Sequence, residues 1–353
     1  MTGRVRSAKL ASAAPARCGF GSVQSNRVRR ALPASIRRSS WWLAWAITVV
    51  LATVVVMRLV WHDGLWLFLL CNIATPYLYL PAWLIAPCAA FARRWRLFAV
   101  ASALAVFHFN WVLLPLLPRT PPATTGRTLR VASANLLVVN ETPEALADEL
   151  ARFDADIYFL QELSGDWDEQ LERLGFWRRY PFNRRINGED AFGAAIASRI
   201  PVRDLEVFWS AELPQLRGVL RLDDRDVELV CIHLLPPRTL DYTAYYHKGA
   251  EALLDIVRRF GARTFIVAGD FNSTPDSDFA ARMRDMSDDA WEAGGHGFGF
   301  TWPNGMFQFP PIRLDHVFVS HDLGVLGARV GDGAGSDHRP VIADVARRAA
   351  FAR

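Results

Sequence analysis

Between Trp41 and Pro118 the chain carries only five charged residues, Arg58, Asp63, Arg93, Arg94 and Arg96. The rest of that stretch falls into three apolar runs. The first, Trp41–Val60, has about the ~20 residues needed to cross the hydrocarbon of a bilayer. The second, Gly64–Phe91, is interrupted by Pro76, Pro81 and Pro87, which predicts a kinked or partly re-entrant course. The third is Leu97–Leu117. Trp41, Trp42, Trp61, Trp66, Trp83, Trp95 and Trp111 mark the edges, as amphipathic rings do at a membrane–water interface. A cleaved signal peptide would show one apolar core and a small-residue cleavage site, not three runs behind a long basic tail. Arg37-Arg38 before the first run matches a twin-arginine signal only by chance on that reading. His108, Asn110 and Asn72 inside the runs are expected to hydrogen-bond between helices.

Charge divides the chain further. Residues 1–40 hold nine basic residues and no acidic one. The positive-inside rule keeps that tail and the Arg93-Arg94-Arg96 cluster cytoplasmic and the turn Trp61–Asp63 on the other side. Three crossings then follow, with everything after Pro118 extracytoplasmic; a merely re-entrant second run would instead leave it in the cytoplasm. Of 40 Lys and Arg, 13 precede Pro118, leaving 27 beyond it; of 36 Asp and Glu only Asp63 does, leaving 35. The sequence pI of about 9.0 therefore reflects the tail, and the larger part is acidic, with no obvious surface for tracking a polyanion. The expected organisation is a basic cytoplasmic tail (1–40), a transmembrane region of about three helices (41–117), a Pro/Thr-rich linker (118–127) and a large domain (128–353). Of the four cysteines, Cys18, Cys71, Cys88 and Cys231, only the last lies in the large domain, so no disulfide forms within it, and Cys231 is expected to be a buried apolar residue.

From Thr128 apolar strands alternate with short helices. Leu129–Asn135, Ile157–Leu160, Phe192–Ser198, Val227–His233, Thr264–Ala268, Ile312–Ser320 and Val341–Val345 read as strands, and Pro143–Arg152 and Tyr242–Phe260 as helices. Several strands end on a polar side chain: Asn135, Glu162, His233, Asp270 with Asn272, Asp315, and the pair Asp337-His338. Strand ends of one packed sheet can converge on one pocket. Hard oxygen donors with few soft ones favour Mg2+ or Mn2+ over zinc or copper. The same carboxylates and imidazoles can deprotonate water and protonate a leaving oxygen.

These residues sit in ANLL (134–137), DADIYFLQEL (154–163), AIASRIPV (195–202), CIHLLPPR (231–238), VAGDFNSTPDS (267–277), TWPN (301–304), RLDHVFVS (313–320) and GSDHRPV (335–341). In that order they resemble the endonuclease/exonuclease/phosphatase (DNase I-like) superfamily over residues 128–346. The resemblance implies an α/β fold, a four-layer α/β sandwich of two mixed sheets with helices outside. It implies Glu162 as principal metal ligand, with Asn135 beside it and Asp337 completing the metal site. Asp270 and Asn272 would position the attacking water, Asp315 would orient the imidazole of His338, and His233 would bind the phosphate or protonate the leaving group. The general base is left open, Asp270 being one candidate.

Other polar residues take blander roles. Asp276 and Asp278 read as turn-formers or caps. His316 points to the opposite sheet face from Asp315. His247, His296 and His321 read as surface or loop residues, Gly294–Gly299 as a mobile rim loop, and Arg184-Arg185 as solvated. Trp302 and Phe300 fit a pocket floor or the core equally.

Three functions compete. The first is a membrane-anchored, metal-dependent phosphoesterase acting on a phosphate or pyrophosphate ester, with a membrane lipid phosphate among the candidates. Its architecture resembles membrane phosphatases of glycopeptide-antibiotic resistance, which are taken to act on undecaprenyl pyrophosphate. The second is a membrane-tethered endo/exonuclease, which would need a cationic groove. The third is a binding module on a degenerate scaffold, disfavoured because every core motif residue is present. The partners expected are a phosphorylated substrate and the bilayer, with no protein partner inferred.

Overall fold

The computed structural model describes residues 34–64, 66–188, 190–305 and 310–349. Most of the basic tail, Cys18 included, lies outside the described residues. From Ala44 onward the chain forms one compact unit.

The apolar third is helical: α1 (Ala34–Trp61), α2 (Trp66–Ile73), α3 (Thr75–Leu78), α4 (Leu80–Phe91) and α5 (Trp95–His108). A π-helical turn, Phe109–Leu113, and a 3-10 turn, Leu114–Leu116, prolong α5. Two helical stretches are long and apolar enough to cross a membrane, Arg38–Trp61 and Trp95–Leu116. The second run is not a continuous span. It breaks at Ala74 and Tyr79, and Pro76 and Pro81 each fall in the first turn of the next helix, where the missing N–H costs nothing. At 12 residues α4 reaches only about 18 Å at 1.5 Å per residue, short of the ~30 Å hydrocarbon thickness.

The first half of that run packs on the large domain instead. Leu69 is buried with Phe265 and Phe318, and Trp66 Nε1 donates to the Pro237 carbonyl at 3.4 Å. The start of α4 meets the end of α5: Tyr79 packs on Phe107 and His108, and Trp83 Nε1 donates to His108 Nδ1 at 3.0 Å. Leu51 of α1 packs with Tyr79, Ala82, Leu104 and Ala105. Asn110 Nδ2, in the π-helical turn, donates back to the Val106 carbonyl of α5 at 2.8 Å. Asn72 bonds between helices as expected, accepting from Arg58 Nη1 of α1 at 2.9 Å, and it also donates to Asp63 Oδ1.

Twelve strands follow: β1 (Thr124–Asn135), β2 (Ile157–Gln161), β3 (Phe182–Ile186), β4 (Ala194–Ser198), β5 (Val202–Ser210), β6 (Leu213–Leu222), β7 (Arg225–His233), β8 (Thr264–Asp270), β9 (Ser287–Asp289), β10 (Asp315–Ser320), β11 (Leu323–Val330) and β12 (Val341–Arg348). They form two six-stranded sheets, ordered β11-β12-β1-β2-β4-β3 and β5-β6-β7-β8-β10-β9. Each is mixed, with one parallel pair at its middle, β1–β2 and β7–β8. The helices are α6 (Pro143–Phe153), α7 (Gly165–Arg173), α8 (Phe176–Arg179), α9 (Leu240–Phe260), α10 (Asp278–Arg284) and α11 (Ala290–Gly294). This is the α/β sandwich expected.

Alternation along the strands builds the layers. Val131, Ile157, Phe159, Leu229, Ile266 and Val317 point between the sheets. Their neighbours point outward: Ala132, Tyr158 and Leu160 against Leu146, Leu150 and Trp167 of α6 and α7, and Val230, Ile232 and Val267 against Leu253, Leu254, Phe279 and Met283 of α9 and α10. With both faces covered, central strands read as unbroken apolar runs. One boundary changes. Thr124–Arg127, read as linker, begins β1, because Thr124 and Thr125 pair with Arg348 and Arg347; β-branched threonine suits that edge position.

Candidate active site

The polar strand ends meet at one end of the sandwich, and each sheet contributes half. On the first, β1 ends at Asn135 in register with Gln161 of β2, so Glu162 follows immediately. Asp337 and His338 lie in the loop before β12 of the same sheet. On the second, His233 of β7 is in register with Asp270 of β8, and Asp270 opposes Asp315 of β10. Glycine is required at 269: at φ +156° a Cβ there would lie 1.8 Å from the Ile232 carbonyl oxygen. Two site residues hold left-handed backbone conformations, Glu162 at φ 59° and Asn272 at φ 47°. Non-glycine residues adopt that region rarely, and such conformations cluster at functional sites.

Hydrogen bonds cross from sheet to sheet. Asn135 Nδ2 donates to Glu162 Oε1 at 2.9 Å and to Asp270 Oδ2 at 3.2 Å. Its own Oδ1 accepts from Leu137 N, while Val138 N donates to Glu162 Oε2. His338 Nδ1 lies 2.8 Å from Asp315 Oδ2, the pairing that fixes an imidazole tautomer. Asp270 Oδ2 sits 3.6 Å from both His233 Nε2 and His338 Nε2. Asn272 N donates to Asp270 Oδ1 at 2.9 Å, and its amide donates to the Leu234 carbonyl at 2.8 Å. All eight residues are therefore tied to this end of the sandwich, with Asp337 fastened by Trp302 Nε1 at 3.1 Å.

Burial sets the electrostatics. Removal from water pushes the Asp270 carboxyl above its usual range, although the His338 imidazolium draws it down and Asp315 adds to the rise. Burial alone would lower His338, but the carboxylates of Asp315 and Asp270, joined by Asp337, raise it to about 10.

A divalent cation fits the residues present. Glu162, Asn135 and Asp337 offer hard oxygen donors, and Asp337 Oδ1 is buried without a hydrogen-bond partner among the described residues. Asp315 Oδ1 and His233 Nδ1 are likewise buried without partners among the described residues. Among the described residues Asp270, Asp315 and His338 bring three metal-capable atoms within 4.8 Å of one another. That group differs from the trio implied for the metal. Within it His338 Nδ1 and Asp315 Oδ2 already satisfy each other, which marks that pair as a hydrogen-bonded relay.

Several supporting residues carried no readable signal. Gln215 clamps the backbone of His233, accepting from its N–H at 2.8 Å and donating to its carbonyl at 3.0 Å. Ser336, visible only as part of GSDHRPV, donates to the Asn135 carbonyl and accepts from His338 N. His316 lies on the far face as expected, between Asp289 Oδ2 (2.6 Å) and the Ser273 carbonyl (2.8 Å). Arg185, read as solvated, pairs with Asp168 at 2.8 Å.

Asp276 and Asp278 are more than turn-formers. The Arg58 guanidinium donates to the Asp276 carbonyl, to Asn72 Oδ1 (2.9 Å) and to Thr75 Oγ1 (3.1 Å), and stacks on Trp111 at 3.8 Å. Asp278 N donates to Asp63 Oδ2 at 2.6 Å. The loop that follows Asp270 and Asn272 is thus fastened to the apolar helices.

Residues 132–338 match the Endonuclease/Exonuclease/phosphatase family. No curated protein sequence matches the chain. Among solved structures it is similar to truncated TDP2 from Caenorhabditis elegans (20% identity over 62% of this chain and 97% of that one, TM-score 0.53). It is also similar to an endonuclease/exonuclease/phosphatase from Beutenbergia cavernae (20%, 64% and 72%, TM-score 0.51). A functionally unknown conserved protein from Enterococcus faecalis is comparable (17%, 62% and 100%, TM-score 0.51). At these identities the likeness is one of fold.

Proposed function

Since the chain belongs to the endonuclease/exonuclease/phosphatase family, we propose that it is a divalent-metal-dependent phosphoesterase, held at a membrane and cleaving a phosphate or pyrophosphate ester carried by a lipid. The observation that carries this reading is the fastening of the Asp270–Asp278 loop to the apolar helices through Arg58 and Asp63. A centre so attached stays within reach of a bilayer surface and far from bulk polyanions. The acidic balance of the large domain supports the same substrate class.

The domain plan follows: a basic cytoplasmic tail, an apolar helical anchor, and a catalytic domain outside the cytoplasm. The order of the helices supports that side. The ends of α1 and of the α5 extension both meet the large domain, whereas Arg93, Arg94 and Arg96 lie at the opposite end, between α4 and α5. Two full spans joined by the shorter α4 take the place of three equal crossings. Apolar N-terminal helices ahead of this domain resemble the arrangement of the membrane phosphatases of glycopeptide resistance.

Glu162, Asn135 and Asp337 would hold Mg2+ or Mn2+. When bound, the cation supplies charge neutralisation at the phosphoryl oxygens. Asn272 and Asp270 orient a water. As its oxygen bonds to phosphorus, its proton passes to Asp270 Oδ2 and the bond to the leaving oxygen breaks. His233 Nε2 gives that oxygen a proton. Asp315 holds the His338 imidazolium against the phosphate, where its charge offsets the charge that develops.

The test is an assay of the detergent-solubilised full chain with magnesium on polyprenyl pyrophosphate, on DNA and on a generic phosphodiester, with Asp270→Asn and His338→Ala as controls. Phosphate release from the lipid without nicking of DNA is expected. Nicking of DNA with an intact lipid would establish the nuclease instead, and no turnover on any substrate would establish a binding module. A reporter fused after Arg353, active only outside the cytoplasm, tests the side.

A further inference from the structure

A cavity of about 470 Å³ lies where the end of the α5 extension meets the large domain. This falls within the ~300–1,000 Å³ usual for small-molecule sites. One wall is Trp111, Val112, Pro115 and Leu116; the other includes Phe298, Phe300 and Ile312. Its carboxylates are already engaged: Asp276 lies against Arg58, and Glu292 pairs with Arg284 at 3.1 Å and Arg313 at 3.3 Å. What remains open in the cavity is mostly apolar.

A broader trough of about 820 Å³ shares Arg119, Trp291, Phe298 and Phe300 with it. Among the described residues this trough is lined by Arg119, Arg329 and Arg339 and by no carboxylate. None of the three guanidinium groups has an ion-pair partner among the described residues. In an acidic domain this is a local surplus of positive charge. Its first arginine stands three residues beyond Leu116, the last residue of the second apolar stretch, at the level where headgroups would lie. None of the eight centre residues lines either space.

We infer that the two spaces together bind one anionic bilayer lipid that is not turned over: a hydrocarbon chain in the cavity, and the phosphate head on the arginine trough. The stacked rings of Phe298 and Phe300, 4.8 Å apart in the glycine-rich loop, close the chain's outer side. That loop thereby gains a role that the catalytic centre does not give it. The inference rests on the reading that the apolar helices lie in a bilayer, and not on which ester is cleaved.

The experiment is native mass spectrometry of the full chain released from micelles doped with equal dioleoyl phosphatidylglycerol and dioleoyl phosphatidylcholine. The unmodified chain should retain the anionic lipid at least ten-fold more often. An Arg119→Gln/Arg329→Gln pair, both at exposed positions, should lose that preference, and Val112→Trp, which fills the cavity, should lose retention of both lipids. Near-UV circular dichroism reports whether each variant is folded. Equal retention of the two lipids by the unmodified chain, or undiminished preference in the folded arginine variant, would overturn the inference. Since the readout is bound lipid, a protein inactive on every lipid phosphate would still give the expected result.

Discussion

Arg58 offers the sharpest test of the attachment between the apolar helices and the site loop. It is 5% exposed and bonds to Asn72, Thr75 and the Asp276 carbonyl, with its guanidinium 3.9 Å from Asp276 Oδ1. Arg58→Met keeps much of the volume but removes the charge and every donor. Removing one partner of a buried pair costs about 3–5 kcal/mol. The lower end applies here, because the orphaned partner can shed its charge. Burial, opposed by Arg58, already holds the Asp276 carboxyl at about 6, and without the guanidinium it takes up a proton at neutral pH. At roughly 2–4 °C per kcal/mol, ~3 kcal/mol lowers the melting temperature by about 6–12 °C.

The assay is thermal unfolding of the full chain in micelles, run as a double-mutant cycle with Asp276→Asn. Residues in one network should show a coupling of about 1–3 kcal/mol. The pH dependence has a defined sign. The folded carboxyl stands above its ordinary 3.8, so the stability it contributes is complete below that value and lost as pH rises through about 6. Asp276→Asn should flatten that slope. A melting temperature unchanged within ~1 °C in Arg58→Met, or strict additivity in the cycle, would refute the reasoning.

Other outcomes follow from the site. Asp315→Asn, which removes the carboxylate charge that faces His338 Nδ1, should lower kcat by about 10²–10⁴ with little change in KM; a lost KM with intact kcat would point to a binding role. Chelation with EDTA should abolish turnover, with Mg2+ or Mn2+ restoring it in the unmodified chain but poorly in Glu162→Gln, as measured by phosphate release. Burial pushes the Cys231 thiol to about 12, so iodoacetamide at pH 8 should leave it unmodified until denaturant is added, as read by mass spectrometry. Leu229→Ala, between the sheets, should cost about 2–5 kcal/mol in chemical denaturation.

What could be read in the sequence follows burial. The central strands β1, β2, β4, β7, β8, β10 and β12 are covered on both faces and announce themselves as apolar runs. β5 (VRDLEVFWS) lies at an edge with its charged residues exposed, and its pattern looks like loop. The same holds for β3 (FNRRI), the edge strand of the other sheet, while β11 is interrupted by Gly324 and Gly327. The eight centre residues were legible because each ends an apolar strand or sits in a recognisable motif. Gln215 was not, since it touches only the backbone of His233. Asp276 does lie in a turn as read, but its second role was not legible for a related reason: its partner Arg58 lies 218 positions away, and nothing local to a turn records that distance.

The division of the centre between the sheets makes it sensitive to shear. Asn135, Glu162, Asp337 and His338 move with one sheet, and His233, Asp270, Asn272 and Asp315 with the other, joined across the seam by the 2.8 Å and 3.2 Å bonds. A slip of about 1 Å between the layers would leave every strand intact and yet cost on the order of 10²-fold in rate. Turnover is therefore a finer gauge of how the two layers are seated than any spectroscopic measure of secondary structure, and it should fade on heating before the sandwich itself melts.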